Sequence, residues 1–265
     1  GRQWAARALR KLVHDNAANK AAIAEAGGIE ALVALVRSGD ADSRMAAVGA
    51  LESLANEDDA KFANSTAIAQ RLVGLLSGGS SEDQEEAAAD AMSELAYSAD
   101  AMAAAIAADG GIEPLVALAT NGAASGQEAA ARALKTLVHD NDANRAAIVP
   151  ALLALVANGT AHRQKRAAWV LATLGCDGAI PPLVALVTNG AAGGQEAAAE
   201  ALGWLADYNT YGRHYFGGPR PTDDAVNRVA IAAAGGIEAL VALVRSGAAG
   251  GQATAALALQ HLADD

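Results

Sequence analysis

Residues 127–148, QEAAARALKTLVHDNDANRAAI, repeat almost word for word the opening stretch 3–23, QWAARALRKLVHDNAANKAAI. Within the later copy, Ala130, Ala133, Leu134 and Leu137 fall at the three- and four-residue spacings of one helical stripe. From Asn141 a new short helix is expected behind polar capping residues. Weaker copies recur down the chain. A unit that cannot hide its apolar stripe alone must bury it against the next copy, so the sequence reads as a stacked repeat array.

A Leu-x-x-Leu pair near the end of each unit measures the period. Its first residue falls at Leu9, Leu51, Met92, Leu134, Leu171, Leu202 and Leu259, giving successive steps of 42, 41, 42, 37, 31 and 57. A second marker, the leucine of the LVALV-type text, falls at Leu35, Leu75, Leu118, Leu155, Leu186 and Leu243. From it to the following pair the gap is 16, 17, 16, 16, 16 and 16. The last two helices of each unit therefore keep their length, and all variation lies in the segment before them.

A period near 42 with three helical pieces resembles the armadillo repeat. The resemblance rests on a Gly-Gly-Ile turn (Gly27–Ile29, Gly110–Ile112, Gly235–Ile237), the apolar helix after it and an alanine-rich third helix, and it covers nearly the whole chain. It implies an all-α, right-handed superhelix of about six repeats plus a leading partial one, forming a single solenoid over residues 1–265. HEAT repeats are the runner-up; they have two helices per unit and do not need the glycine corner. The glycines fit a tight turn that needs positive φ and close backbone approach.

In detail, a leftover third helix precedes repeats at about 15–55, 56–96 and 97–138. The second replaces the glycine corner with Ser65-Thr66. The fourth, 139–174, is about five residues short, and Pro150 is expected to start its second helix directly. The fifth, 175–206, lacks a first helix, and a bend is expected near Cys176. The sixth carries an insertion at 207–221 before its first helix. The opening GRQWAARAL lacks a start methionine and begins inside a helix pattern, so the chain is expected to be a segment of a longer polypeptide.

Little in the sequence suggests catalysis. His14-Asp15 and His139-Asp140 occupy one repeat position, where a histidine suits a helix C-terminus and an aspartate the turn after it. No metal ligand set accumulates there, and neither metal nor cofactor is expected. The lone Cys176 cannot form an internal disulfide and reads as structural. An enzyme reading rests only on Tyr211, His214 and Tyr215 of the insertion. The formal charge of −11 argues against nucleic acid or an anionic membrane as partner. No apolar run reaches the roughly 18 residues that a bilayer needs. Nothing requires an oxidising compartment, and an intracellular location is expected.

The resemblance implies that one stripe of each third helix faces a groove. By repeat the stripe reads Gln3/Arg7/Lys11, Met45/Gly49/Ser53, Glu86/Asp90/Glu94, Glu128/Arg132/Thr136, Lys165/Trp169/Thr173, Glu196/Glu200/Trp204 and Ala253/Leu257/His261. In importin-α and β-catenin relatives an asparagine of the third helix holds a peptide backbone, with a tryptophan one turn earlier. Trp169 matches that tryptophan, but the asparagine positions hold Lys11, Ser53, Glu94, Thr136, Thr173, Trp204 and His261. The repeated backbone clamp is absent.

The candidate partner-binding set is therefore Trp169, Trp204, Glu128, Arg132, Lys165, Thr173, Glu196, Glu200, Asp90 and Glu94. Tryptophans near carboxylates suit a partner segment bearing arginine or lysine. Trp204 could equally fill space left by the missing helix, and Trp4 is expected in the core. The insertion concentrates aromatics in an aromatic-poor chain, which makes Tyr208, Tyr211, Arg213, His214, Tyr215 and Phe216 candidate contacts, either on the partner or folded back as a lid. The function expected is a non-catalytic, monomeric module binding a basic protein or peptide segment. The alternative is a structural spacer of a larger repeat protein that associates through its ends.

Overall fold

A computed structural model describes residues 2–14, 16–55, 61–78, 80–175, 177–207 and 224–263. Two compact units divide the chain, Gly1–Arg145 and Ala146–Asp265. The first holds α1 (Arg2–Val13), α2 (Ala17–Glu25), α3 (Gly28–Ser38), α4 (Ala41–Ala55), α5 (Lys61–Ser77), α6 (Glu82–Ser98), α7 (Asp100–Ala108), α8 (Ile112–Asn121) and α9 (Ala124–Val138). Helix α10 (Asp142–Asn158) runs across the division. The second unit holds α11 (Ala161–Leu174), α12 (Ile180–Asn189), α13 (Ala192–Ala206), α14 (Asp224–Ala233), α15 (Gly236–Ser246) and α16 (Ala249–Ala263). Among the described residues there is no strand, and within each unit the helices stack as an α-solenoid.

The alanines explain the stacking. Third helices lie on third helices: α1 on α4, α4 on α6 and α6 on α9 in the first unit, α11 on α13 and α13 on α16 in the second. Their facing sides are short side chains, such as Ala87, Ala88 and Ala91 on α6 and Ala129, Ala130 and Ala133 on α9, all buried. Methyl groups let the axes approach closely while costing little side-chain entropy. The Leu-x-x-Leu pairs supply the bulk. Leu51 and Leu54, Met92 and Leu95, Leu134 and Leu137, Leu171 and Leu174, and Leu202 and Leu205 are all buried. Each such side chain contributes roughly 2 kcal/mol by leaving water.

The glycine corner works through two different glycines. Gly27, Gly110 and Gly235 have φ of 80°, 77° and 79°, a left-handed conformation that stops the first helix. The second glycine is needed for space: a Cβ at Gly28, Gly111 or Gly236 would lie 2.7–2.8 Å from the carbonyl oxygen of Ile23, Ile106 or Ile231. Gly111 donates its N–H to the Ile106 carbonyl at 2.8 Å, the six-to-one bond that closes such a helix end. The chain leaves at a bend of 85° between α7 and α8, and of 73° between α14 and α15.

Where the corner is missing, the two helices fuse. Through Ser65-Thr66 the first and second helices of the second repeat become the single helix α5. In the fourth repeat the expectation that Pro150 begins the second helix is wrong: Pro150 lies inside the continuous α10. With no left-handed residue to stop it, the helix tolerates the proline although proline lacks an N–H. The fifth repeat has no first helix, as its length implies. Gly175, at φ 60°, ends α11, and a 3-10 turn at Asp177–Ala179 leads into α12. Cys176 lies outside the described residues.

Candidate functional site

Helices α11 and α13 pack side by side and carry the predicted stripe of the fifth and sixth rows. Lys165 lies exposed on α11, with Trp169 half-buried one turn later. On α13, Glu196, Glu200 and Trp204 follow one another at four-residue spacing, all half-buried. The Lys165 ammonium donates to Glu196 Oε1 at 2.9 Å. That hydrogen bond, reinforced by the Glu196 and Glu200 charges, holds the Lys165 ammonium above its ordinary value.

Glu200 is less well served. Burial pushes its carboxyl above the ordinary range, Lys165 opposes the shift and Glu196 adds to it. Its Oε2 is shut off from solvent and accepts no hydrogen bond from the described residues. A carboxylate in that position attracts a cationic donor, because a buried acceptor without a partner costs about 1–3 kcal/mol, more when charged.

Several predicted site residues take other roles. Thr173 is 1% exposed and its hydroxyl donates to the Trp169 carbonyl at 2.8 Å, so no partner reaches it. A threonine in a helix interior often bonds back in this way, which removes it from the recognition set. His261 of the last row is also buried, 3.3 Å from Asp207. Trp169 offers only part of its ring, since the Arg166 guanidinium already lies over it at 4.1 Å. Arg166 was not anticipated as a site residue, although its position three before the tryptophan in KRAAW was legible. Trp4, expected in the core, is 67% exposed with Arg7 5.2 Å from its ring centre.

In the first unit the acidic rows are partly answered from within. Asp90 on α6 pairs with Arg132 on α9 at 2.7 Å, and Ser93 meets Thr136 at 3.3 Å. Glu94 is exposed and Glu128 half-buried. The acidic first turn of α6, Glu82, Asp83 and Glu85, has a local role against the helix dipole behind the Ser81/Gln84 capping box. Tyr208, Tyr211, Arg213, His214, Tyr215 and Phe216 lie outside the described residues. No group of three or more metal-ligating side chains is found among the described residues. No single helix among them is long and apolar enough to cross a membrane.

The stacked three-helix units with glycine corners agree with comparison by sequence. The Armadillo/beta-catenin-like repeat model matches residues 16–56 and 224–264. Those two segments are armadillo repeats. No curated protein matches it by sequence. Among solved structures it is similar to an engineered protein at 29% identity over 98% of this chain and 89% of that one, with a TM-score of 0.41. A second engineered protein is 30% identical over 98% of this chain and 64% of its own length, with a TM-score of 0.43. A designed armadillo repeat protein in complex with the peptide (KR)4 is 19% identical, over 98% and 92% of the two chains, with a TM-score of 0.35.

Proposed function

We propose that this armadillo-repeat chain is a non-catalytic interaction module that binds a protein segment along the exposed stripe of its third helices. Glu200 is the cation-accepting point of its second unit. The observation that carries this reading is the half-buried Glu200, whose carboxylate lacks a donor to Oε2 among the described residues, on the stripe that also presents Trp204. A lysine or arginine from a partner supplies the missing donor and the compensating charge together. Trp204, one turn beyond on α13, offers an apolar wall for the stem of that side chain. Because Lys165 pairs with Glu196, Glu200 is the member of the acidic pair left, among the described residues, for a partner's cation.

Calorimetric titration of the chain with an alternating lysine–arginine peptide tests this reading. Binding that weakens about ten-fold in Glu200→Gln, with the fold intact by circular dichroism, supports it. Equal binding by wild type, Glu200→Gln and Glu200→Lys removes Glu200 as the recognition point. A spacer role is favoured by the exposed Trp4 and Leu12 on α1 and Leu257 on α16. That reading expects association that grows with protein concentration, and no discrete peptide affinity.

A further inference from the structure

The first unit carries a feature of opposite sign. Helices α1 and α4 pack together, and between them opens a pocket lined by Arg7, Arg10, Lys11, His14 and Ser53. Among the described residues no carboxylate lines it, in a chain whose formal charge is −11. Arg7, Arg10 and Lys11 supply the positive charge of its lining.

The pocket results from how the two helices meet. Arg7 and Lys11 lie four apart on α1 and are exposed, and Arg10 beside them turns toward α4. There it meets Gly49, where a Cβ would come within 2.9 Å of Arg10 Nη1. The absence of a side chain lets the guanidinium lie against the backbone of α4. Arg7 is held on the other side over Trp4. Arg10 has a weak acidic neighbour, Glu52 at 4.0 Å, and the Ser53 hydroxyl is engaged with the Gly49 carbonyl at 3.0 Å. Like charges gathered around one pocket repel one another, and an anion entering between them removes that repulsion while accepting their N–H donors.

We infer that this pocket is a docking point for an acidic protein segment, one presenting aspartate or glutamate side chains to Arg7, Arg10 and Lys11. A protein segment fits better than nucleic acid. The cations are gathered at one end of the first unit, on α1, and the net charge of −11 on the chain would repel a polyphosphate backbone. The pocket shares no residue with the Glu200 region, so the inference stands or falls without that reading. It gives the module two binding points of opposite charge.

The test is fluorescence anisotropy of labelled hexaglutamate titrated with the full chain, beside Arg7→Gln/Lys11→Gln, Gly49→Ala and Glu200→Lys variants. Arg7 and Lys11 are exposed, so the double variant is expected to keep the wild-type melting curve. The expected result is saturable, salt-sensitive binding by wild type, weakened about ten-fold or more by the double variant, or about 1.4 kcal/mol. Gly49→Ala, which displaces Arg10, is expected to weaken it less, and Glu200→Lys to leave this arm unchanged. Absence of saturable binding by the wild type overturns the inference, as does equal affinity of wild type and double variant. A single-stranded oligonucleotide that binds more tightly than hexaglutamate at the same salt overturns the choice of partner.

Discussion

The side-chain amide of Asn144 donates to the backbone carbonyl of Leu137 at 2.9 Å, so the first helix of one repeat closes the C-terminus of the third helix before it. The same bond recurs at Asn19 to Leu12, Asn64 to Leu54 and Asn227 to Leu205, at 2.7, 3.1 and 2.9 Å. Each acceptor is the second leucine of the Leu-x-x-Leu pair, where a helix end leaves carbonyls without partners. Asn144 and Asn227 stand 7 and 22 residues after their acceptors, and the difference, 22 − 7 = 15, equals the length of the insertion at 207–221. The insertion therefore leaves the repeat register intact on either side of it. At Leu95 the carbonyl accepts instead from the Ser98 hydroxyl at 3.0 Å, and the residue seven positions on is the buried Met102.

Asn144→Leu is expected to destabilise the chain by about 1–3 kcal/mol, because the Leu137 carbonyl loses its donor in a buried place. Urea denaturation followed by circular dichroism measures it. A midpoint unchanged from wild type removes the asparagine from the account of how repeats join.

The two glycines of a corner are expected to fail differently. Gly236→Ala drives a methyl into the Ile231 carbonyl and lowers the melting temperature. Gly235→Asn keeps access to the left-handed region and costs less than Gly235→Val, whose branched side chain disfavours φ near 79°. Equal melting temperatures for Gly235→Asn and Gly235→Val contradict the conformational argument.

Glu200 gives a pH-dependent prediction whose sign follows from its raised carboxyl. The folded chain holds that proton more tightly than the unfolded chain, whose ordinary value is 4.5. The stabilisation from Glu200 is thus fully present below 4.5 and is lost as pH rises through the higher folded value. Glu200→Gln is accordingly expected to be more stable than wild type at neutral pH, with the difference closing on acidification below 4.5. Lys165→Gln removes the one charge that opposes the shift, so the Glu200 carboxyl should titrate higher still by NMR. A downward movement contradicts this reading.

The Asp90–Arg132 pair joins α6 to α9, yet both side chains are near half exposure, at 44% and 42%. Solvent screening limits such a pair to about 0.2–1 kcal/mol. A double-mutant cycle with Asp90→Asn and Arg132→Gln should return a coupling in that range that fades at high salt. A coupling several times larger points to a network beyond the pair.

What the sequence determined by itself was the repeat: its period, its apolar stripes, its glycine corners and the places where a segment was short or long. These follow from the spacing of residues within one helix or turn, where backbone geometry fixes which side chains share a face. The sequence also placed Glu196, Glu200 and Trp204 on one face of α13 correctly, since that is a statement about a single helix. Only the tertiary structure decided which of the stripe residues are already engaged. Lys165 meets Glu196 and not Glu200, Arg166 covers Trp169, Thr173 is buried, and Pro150 sits inside a continuous helix. The Lys165–Glu196 contact depends on the register and separation of neighbouring helices, which sum over many small contacts between alanine faces and leave no mark at any one position. The asparagine bonds were present in the text as DNAANK and DNDANR, but their acceptors are backbone carbonyls of the preceding helix. A backbone carbonyl is the same at every residue, so only the fold shows which ones lack a partner.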